Sequence, residues 1–409
     1  MRAILVVIAV LSTASALAQQ TTPAQTSSNC NTPAREPIVH ITVSSNPFQA
    51  LPTADGCWAF VSLSGTPEAR PQIALLKRAG GAVSVVRELT IPHGNPTGMA
   101  LTHDGTLLAV AAGPGVAFFD VNRFVAGAPD ALLGWWQDEV GTSGRIYATV
   151  SPNDRYLFVS DEGAQSITVL DLSAARKNGF EGARAIGKIP VGIAPVALTF
   201  SKDGKYLYTT SQNMRALGWP LECKPERAPD PATAVPDHPQ GAVLVVDVAR
   251  ATSNPATSVV STIKAGCNPV RLVLDPSGDR AYVSARNNNA LLVFDTRKFV
   301  SGAEHALVAT VPVGTAPVGV AVIDNGKRIL VTNSNRFNSS PNDRQTLTVV
   351  DAARTAEGAN AVIGSVPAGA FPREMRVTAD GRTLLLTNFN SKTVDVIDLA
   401  RLPVTSTVR

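Results

Sequence analysis

The sequence predicts an all-β protein, a seven-bladed β-propeller with four antiparallel strands per blade. A proline slot followed nine positions later by a hairpin-turn glycine recurs along the chain as Pro47/Gly56, Pro96/Gly105, Arg145/Asp154, Pro195/Gly204, Pro269/Gly278, Pro317/Gly326 and Pro372/Gly381, with Arg145 and Asp154 as stand-ins. Self-similarity at a period of roughly 40 to 50 residues marks a propeller or solenoid, because one unit cannot bury both faces without neighbours. The 31 glycines and 29 prolines among 409 residues punctuate short Val, Leu, Ile and Thr runs, and no long stretch carries a helical period. A single domain is therefore expected despite the length.

Residues 1–18 carry one positive charge at Arg2, an apolar run from Ala3 to Leu11 and a small-residue end at Ala16-Leu17-Ala18. This pattern predicts a secretory signal peptide cut before Gln19. The apolar run is too short to cross the ~30 Å of a bilayer, so no membrane insertion is expected. Residues 19–37, rich in Thr, Ser, Pro and Gln, read as a flexible leader, and residues 38–409 as the propeller. The formal charge of +4 is spread without a basic run, which gives no reason to expect nucleic acid as a partner.

The clearest repeat spans Val191 to Arg250. Its first strand is Val196–Ser201, its turn Lys202-Asp203-Gly204 and its second strand Lys205–Thr210. Asp-Gly and Asn-Gly pairs suit such turns because the backbone there needs positive φ. A third strand ends on aspartate in Gly241–Asp247, Ser166–Asp171, Ala290–Asp295, Thr346–Asp351 and Thr393–Asp398, and Val259–Ile263 and Leu307–Val311 read as fourth strands. Two of the six intervals between slots are long, at 74 and 55 residues, and locate insertions at Asn213–Gln240 and Ser334–Gln345. Ile38–Val43 reads as a fourth strand without the preceding three, and only eleven residues follow Asp398. The economical closure makes it the outer strand of the last blade, which removes free ends from the ring.

This topology sorts the cysteines by face. Cys30 and Cys57 fall on the bottom, Cys223 and Cys267 on the top, and a disulfide needs Cα atoms within about 7 Å. The expected pairs are Cys30–Cys57 and Cys223–Cys267, which together with the signal peptide predict a periplasmic or extracellular protein.

The phrases Gly192-Ile-Ala-Pro-Val-Ala-Leu-Thr-Phe-Ser-Lys-Asp-Gly-Lys and Gly314-Thr-Ala-Pro-Val-Gly-Val-Ala-Val-Ile-Asp-Asn-Gly-Lys, with Leu330-Val-Thr-Asn333 and Leu386-Thr-Asn388, resemble the YVTN-repeat β-propellers, which are similar to lactonase-like seven-bladed propellers. The resemblance covers residues 38 to 400. It implies an exported binding or surface protein, or alternatively a sugar-lactone hydrolase; fold similarity alone does not transfer an activity.

Five scattered histidines show no ligand spacing, and there is no CxxCH, so neither a metal nor another cofactor is expected. Thr142-Ser143-Gly144 reads as a loop rather than a nucleophile turn. Departures from the repeat are more informative: Arg145 in the proline slot, Tyr147, Arg271, Arg373, Glu374 and Arg376, all expected near the top inner rim. A guanidinium fork matches planar anions, so these residues could form a pocket for a small anionic ligand. In the hydrolase reading Glu374 is the general base and Arg271 or Arg376 polarises the carbonyl. A structural reading has Glu374 neutralise Arg271 or Arg376 between blades. Top-face loops at Asp161-Glu162, Asn213, Arg215, Arg286–Asn289, Asn333–Arg336 and Asn388–Asn390 surround the same mouth and could meet a protein partner instead. Trp135-Trp136 could contact a partner at the outer rim or pack against the next blade. A monomer is expected, and an envelope assembly module would use the outer rim and the insertion.

Overall fold

The computed structural model describes residues 30, 32–66, 69–91, 93–138, 144–214, 219–225, 228–229, 231–232, 234, 236–337 and 345–406. The expected signal peptide, most of the leader, Thr142-Ser143, Arg215 and the middle of the second insertion lie outside these residues. Seven four-stranded antiparallel sheets are arranged as blades. Blade one runs Asn46–Pro52, Trp58–Ser64, Gln72–Ala79 and Ala82–Thr90, from the axis outward. Blades two to six repeat that order, and Ile38–Thr42 completes blade seven by pairing with Thr393–Asp398, Ile38 opposite Ile397. No helix among the described residues is long and apolar enough to cross a membrane.

The sequence signals each have a local cause. In the inner turns a Ser or Thr hydroxyl bonds an Asp or Asn two residues on, as in Thr102–Asp104 (2.5 Å), Ser201–Asp203 (2.7 Å) and Thr378–Asp380 (2.6 Å). Gly105 and Gly204 follow with φ of 69° and 71°, and Asp154 takes the same conformation at 56°. In blades two to seven the aspartate ending the third strand caps the short helix behind it: Asp120 accepts from Arg123, Asp171 from Ser173 and Asp247 from Arg250. Those short helices lie over the outer strand of the preceding blade, as Ala352–Ala361 does over Leu307–Pro312. Exposed strand edges are thereby covered.

Every inner strand carries a register shift just after the proline slot, seen at Pro47/Gln49, Pro96/Met99, Arg145/Tyr147, Pro195/Leu198, Pro269/Leu272, Pro317/Val320 and Pro372/Glu374. Such an irregularity frees a backbone N–H from the ladder. A buried hydroxyl fifteen positions after the slot receives it: Ser62 accepts from Gln49 N, Thr210 from Ala197 N, Ser284 from Arg271 N, Thr332 from Gly319 N and Thr387 from Glu374 N, at 2.7 to 3.2 Å. The same hydroxyls donate to the next blade, Ser62 to Thr97 O (2.6 Å), Thr210 to Val270 O (2.9 Å), Ser284 to Val318 O (2.7 Å) and Thr387 to Phe48 O (3.2 Å). The ring thus closes between blades seven and one. Arg78 reinforces this seam by donating to Thr383 Oγ1 and Gly56 O, and Asn46 Nδ2 by donating to Phe389 O.

Both disulfides join the expected partners, Cys30–Cys57 and Cys223–Cys267. Cys267 ends the outer strand Val259–Cys267 of blade four rather than lying in the following loop, because that strand runs four residues beyond the Ile263 at which it was expected to end. The other boundaries move by a few residues at most.

Replacing Thr387 by Val deletes a buried hydroxyl that serves two backbone groups of adjacent blades. A loss of about 1–3 kcal/mol is expected, measurable by chemical denaturation. Opening Cys223–Cys267, which closes 44 residues, should cost no more than about 4 kcal/mol and leave the circular dichroism of the sheets intact.

Candidate functional site

The second position after the slot holds Gln49, Gly98, Tyr147, Ala197, Arg271, Gly319 and Glu374 in blades one to seven, and all seven residues are buried. Bulk alternates around the ring. Blades one, three, five and seven send long polar side chains toward the axis, while blades two, four and six contribute only Gly or Ala. A Cβ on Gly98 would lie 2.6 Å from Tyr147 Cα, and one on Gly319 would lie 2.7 Å from Arg373 O. These positions are small because the neighbouring blade fills their space.

The four long side chains form one network. Tyr147 Oη donates to Glu374 Oε1 (2.7 Å) and accepts from Gln49 Nε2 (3.3 Å). Arg271 Nε donates to Glu374 Oε2 (2.6 Å), and its guanidinium stacks on Tyr147 at 4.7 Å from the ring centre. Gln49 Oε1 accepts from Met99 N, which ties the network to blade two. Arg376, one layer down, places Nη2 3.3 Å from Glu374 Oε1. Glu374 is therefore only 4 % exposed, with both oxygens engaged. A general base needs a lone pair facing water or substrate, and this geometry leaves none. The carboxylate instead offsets two guanidiniums, the buried Arg271 and the half-buried Arg376.

The residues expected at one rim occupy different levels. Arg373 lies above the network, where its guanidinium sits 3.8 Å from the centre of the Phe48 ring and 5.4 Å from those of Phe371 and Phe389. Burial, then the nearby Arg271 and Arg336, push its pKa down to about 9. Arg376 lies below the network, not at the top inner rim. Two further residues of strand carry the chain about 7 Å toward the bottom face. Arg145 opens the inner strand of blade three opposite Asp161; its side chain lies outside the described residues.

Above Arg373 the top face carries Glu162, Arg286, Arg336 and Phe337. Burial raises the Glu162 pKa, while Arg373, Arg336, Arg271 and Arg286 pull it down. Phe337 is 61 % exposed and is flanked by Arg286 and Arg336, their guanidinium carbons 5.5 and 5.3 Å from its ring centre. The asparagines of these loops serve the backbone: Asn333 Oδ1 accepts from Gly314 N (3.0 Å), Asn388 Oδ1 from Gly369 N (3.1 Å) and Asn289 Oδ1 from Ala316 N (2.9 Å). In each Thr-Asn pair, then, threonine satisfies the freed N–H of the inner strand, Thr387 also bonding the next blade, and asparagine holds the loop above. Trp136 is buried and Trp135 half-buried against His93, so the outer-rim tryptophan pair is packed.

Sequence reading passed over Gln49 as an acceptor and the aromatic partners Phe48, Phe371, Phe389 and Phe337. Phe48 and Arg373 share the position after the slot, and tabulating that position would have shown them as neighbours. A cavity of about 690 Å³ lies away from the axis, at the outer rim between blades four and five, walled by Trp219, Glu222, Lys264, Leu292, Glu304 and Leu307. It contains none of the expected site residues. Among the described residues no group of His, Cys, Asp and Glu could hold a metal ion.

No family model and no curated protein matches this chain. Among solved structures it is similar to Kuenenia stuttgartiensis hydrazine synthase, at 18 % identity and a TM-score of 0.63 over 88 % of this chain and 98 % of that one. It is also similar to the Cps50 (Swd1) β-propeller domain of Myceliophteria thermophila, at 11 % identity and a TM-score of 0.61 over 88 % and 100 % of the two chains. Both likenesses establish the propeller fold alone.

Glu374→Gln should cost about 3–5 kcal/mol, since Arg271 then remains buried without its counter-charge. Equilibrium unfolding checks this. Unchanged or increased stability would contradict the structural role assigned to the carboxylate. Gly98→Ala should cost about 1–3 kcal/mol through its clash with the Tyr147 backbone.

Proposed function

We propose that this chain is an exported binding module, akin to the YVTN-repeat propellers, whose top face receives an acidic ligand: a small carboxylate or an acidic segment of a protein partner. The observation that carries this reading is the exposed Phe337 between Arg286 and Arg336, set above Arg373. Arginine and aromatic side chains are the residue types that concentrate binding energy at interfaces. Stacking covers the guanidinium face of the exposed Arg336 and leaves its N–H edge, the part that pairs with a carboxylate. Four arginines, Arg271, Arg286, Arg336 and Arg373, lie within electrostatic reach of Glu162, so positive charge predominates at this mouth.

Two disulfides fit an oxidising, exported environment. A signal peptide over residues 1–18, a leader over 19–37 and a monomeric propeller over 38–409 complete the reading, with the periplasm or the cell exterior as its location. Lactone hydrolysis finds no support at Glu374, whose oxygens are engaged by Tyr147, Arg271 and Arg376. The activity in the name of the hydrazine synthase neighbour stays with that protein, because fold similarity does not carry an active site.

Calorimetric titration with an oligoglutamate peptide tests the reading against an oligoglutamine peptide of equal length. Binding is expected for the acidic peptide only, weakening as salt rises. The double substitution Arg336→Glu/Phe337→Ala touches exposed residues and should weaken it about tenfold or more. Equal binding of the two peptides, or no effect of the double substitution, refutes the assignment.

A further inference from the structure

The fourth position after the slot forms the ring below the buried network: Leu51, Ala100, Thr149, Thr199, Val273, Ala321 and, in blade seven, Arg376. Ala100 and Ala321 are buried, while the other five are half-buried. The Arg376 side chain is 35 % accessible although it is set deep on the propeller axis, as expected for the wall of an internal chamber. All seven residues of the layer above are buried, which closes the axis on that side. The chamber therefore belongs to the bottom half of the disk and is separate from the top-face patch.

Charge within this region does not balance. Arg271 and Arg376 both turn to Glu374, whose nearer partners are Arg271 Nε at 2.6 Å and Tyr147 Oη at 2.7 Å, with Arg376 Nη2 at 3.3 Å. One carboxylate faces two guanidiniums. Arg376 Nε is buried without a hydrogen-bond partner, and so are both terminal nitrogens of Arg271, a residue only 5 % exposed. Burial alone pushes the Arg376 pKa down to about 10. A guanidinium holds its proton, so the cost of burial remains until an anion is supplied.

We infer that the lower half of the axial channel is a second binding site, built on Arg376 and suited to a small monocarboxylate. A single surplus charge calls for a monoanion rather than phosphate or sulfate. The planar fork of Arg376 matches a carboxylate better than a spherical halide. Of the half-buried residues in this ring, Leu51 and Val273 pack against the cores between neighbouring blades and leave part of their apolar surface for a short alkyl tail, and Thr149 and Thr199 add hydroxyls. The Thr199 hydroxyl donates to Leu272 O (2.8 Å) and presents its oxygen as part of that wall.

The test is titration calorimetry of the whole protein with propionate, chloride and phosphate in a buffer free of all three. Propionate should bind with one-to-one stoichiometry and more tightly than either inorganic ion. Arg376→Gln should lower its affinity roughly tenfold to a hundredfold, the loss expected for a charged hydrogen-bonding partner. Arg376→Lys keeps the charge beside Glu374, and with it the fold, but lacks the fork; about a tenfold loss is expected. Arg336→Glu, across the buried layer, should leave the Arg376-dependent part of propionate binding unchanged. Full affinity in both Arg376 variants overturns the site. Chloride or phosphate binding as tightly as propionate overturns its assignment to a carboxylate. Loss of propionate binding in Arg336→Glu places the ligand on the top face and overturns the separation of the two sites.

Discussion

A hydroxyl group at one position of the second strand holds this propeller together where it is narrowest. The irregularity after each proline slot releases an N–H toward the axis, where a buried donor without a partner is costly. Ser62, Thr210, Ser284, Thr332 and Thr387 each accept such an N–H, and all but Thr332 pass a hydrogen bond to the carbonyl of the next blade. One short side chain thus satisfies its own strand and fixes the spacing to its neighbour. Blade two has Ala111 in that position, and there Thr97 reaches back to Ala111 O (3.0 Å). The hydroxyl there sits on the first strand instead of the second, and its bond stays within blade two.

Once those backbones are fixed, the axis has too little room for seven long side chains. Gly98, Ala197 and Gly319 answer by alternating with Gln49, Tyr147, Arg271 and Glu374. Seven is odd, so alternation must fail once around the ring. It fails between blades seven and one, where Glu374 and Gln49 are adjacent large residues. Tyr147 resolves the conflict from blade three, its single hydroxyl bonding Glu374 and receiving from Gln49. The polar layer is therefore the packing solution for an odd ring as well as an electrostatic device.

The scaffold was legible because its signals are local. A hairpin glycine, an aspartate cap and a proline slot act within ten residues, and their phase was enough to assign four cysteines to two faces. Tyr147, Arg271 and Glu374 of the axial network stand out as departures from that phase, while Gln49 does not, and their partnerships were not readable. Arg271 and Glu374 are 103 positions apart, and Tyr147 and Glu374 are 227 apart. Their levels were misjudged for a different reason. Strict alternation along the inner strand cannot see the irregularity that turns the position after the slot toward the axis, so Arg373, Glu374 and Arg376 read as one rim although they lie above, within and below a buried layer.

That division bears on what the molecule can do. A buried polar layer gives no automatic gain in stability over a well-packed apolar one. Its cationic surplus nevertheless gives the channel a direction. The carboxylate in the layer is consumed by Tyr147, Arg271 and Arg376, while Arg373 stacks above among Phe48, Phe371 and Phe389 with no carboxylate in hydrogen-bonding contact among the described residues. Glu374 is thereby taken up within the layer, whereas recognition of negative charge needs only the guanidinium edges that the packing leaves open. The same alternation that fills the axis thus sets a buried layer across it, with Arg373 on one side and Arg376 on the other.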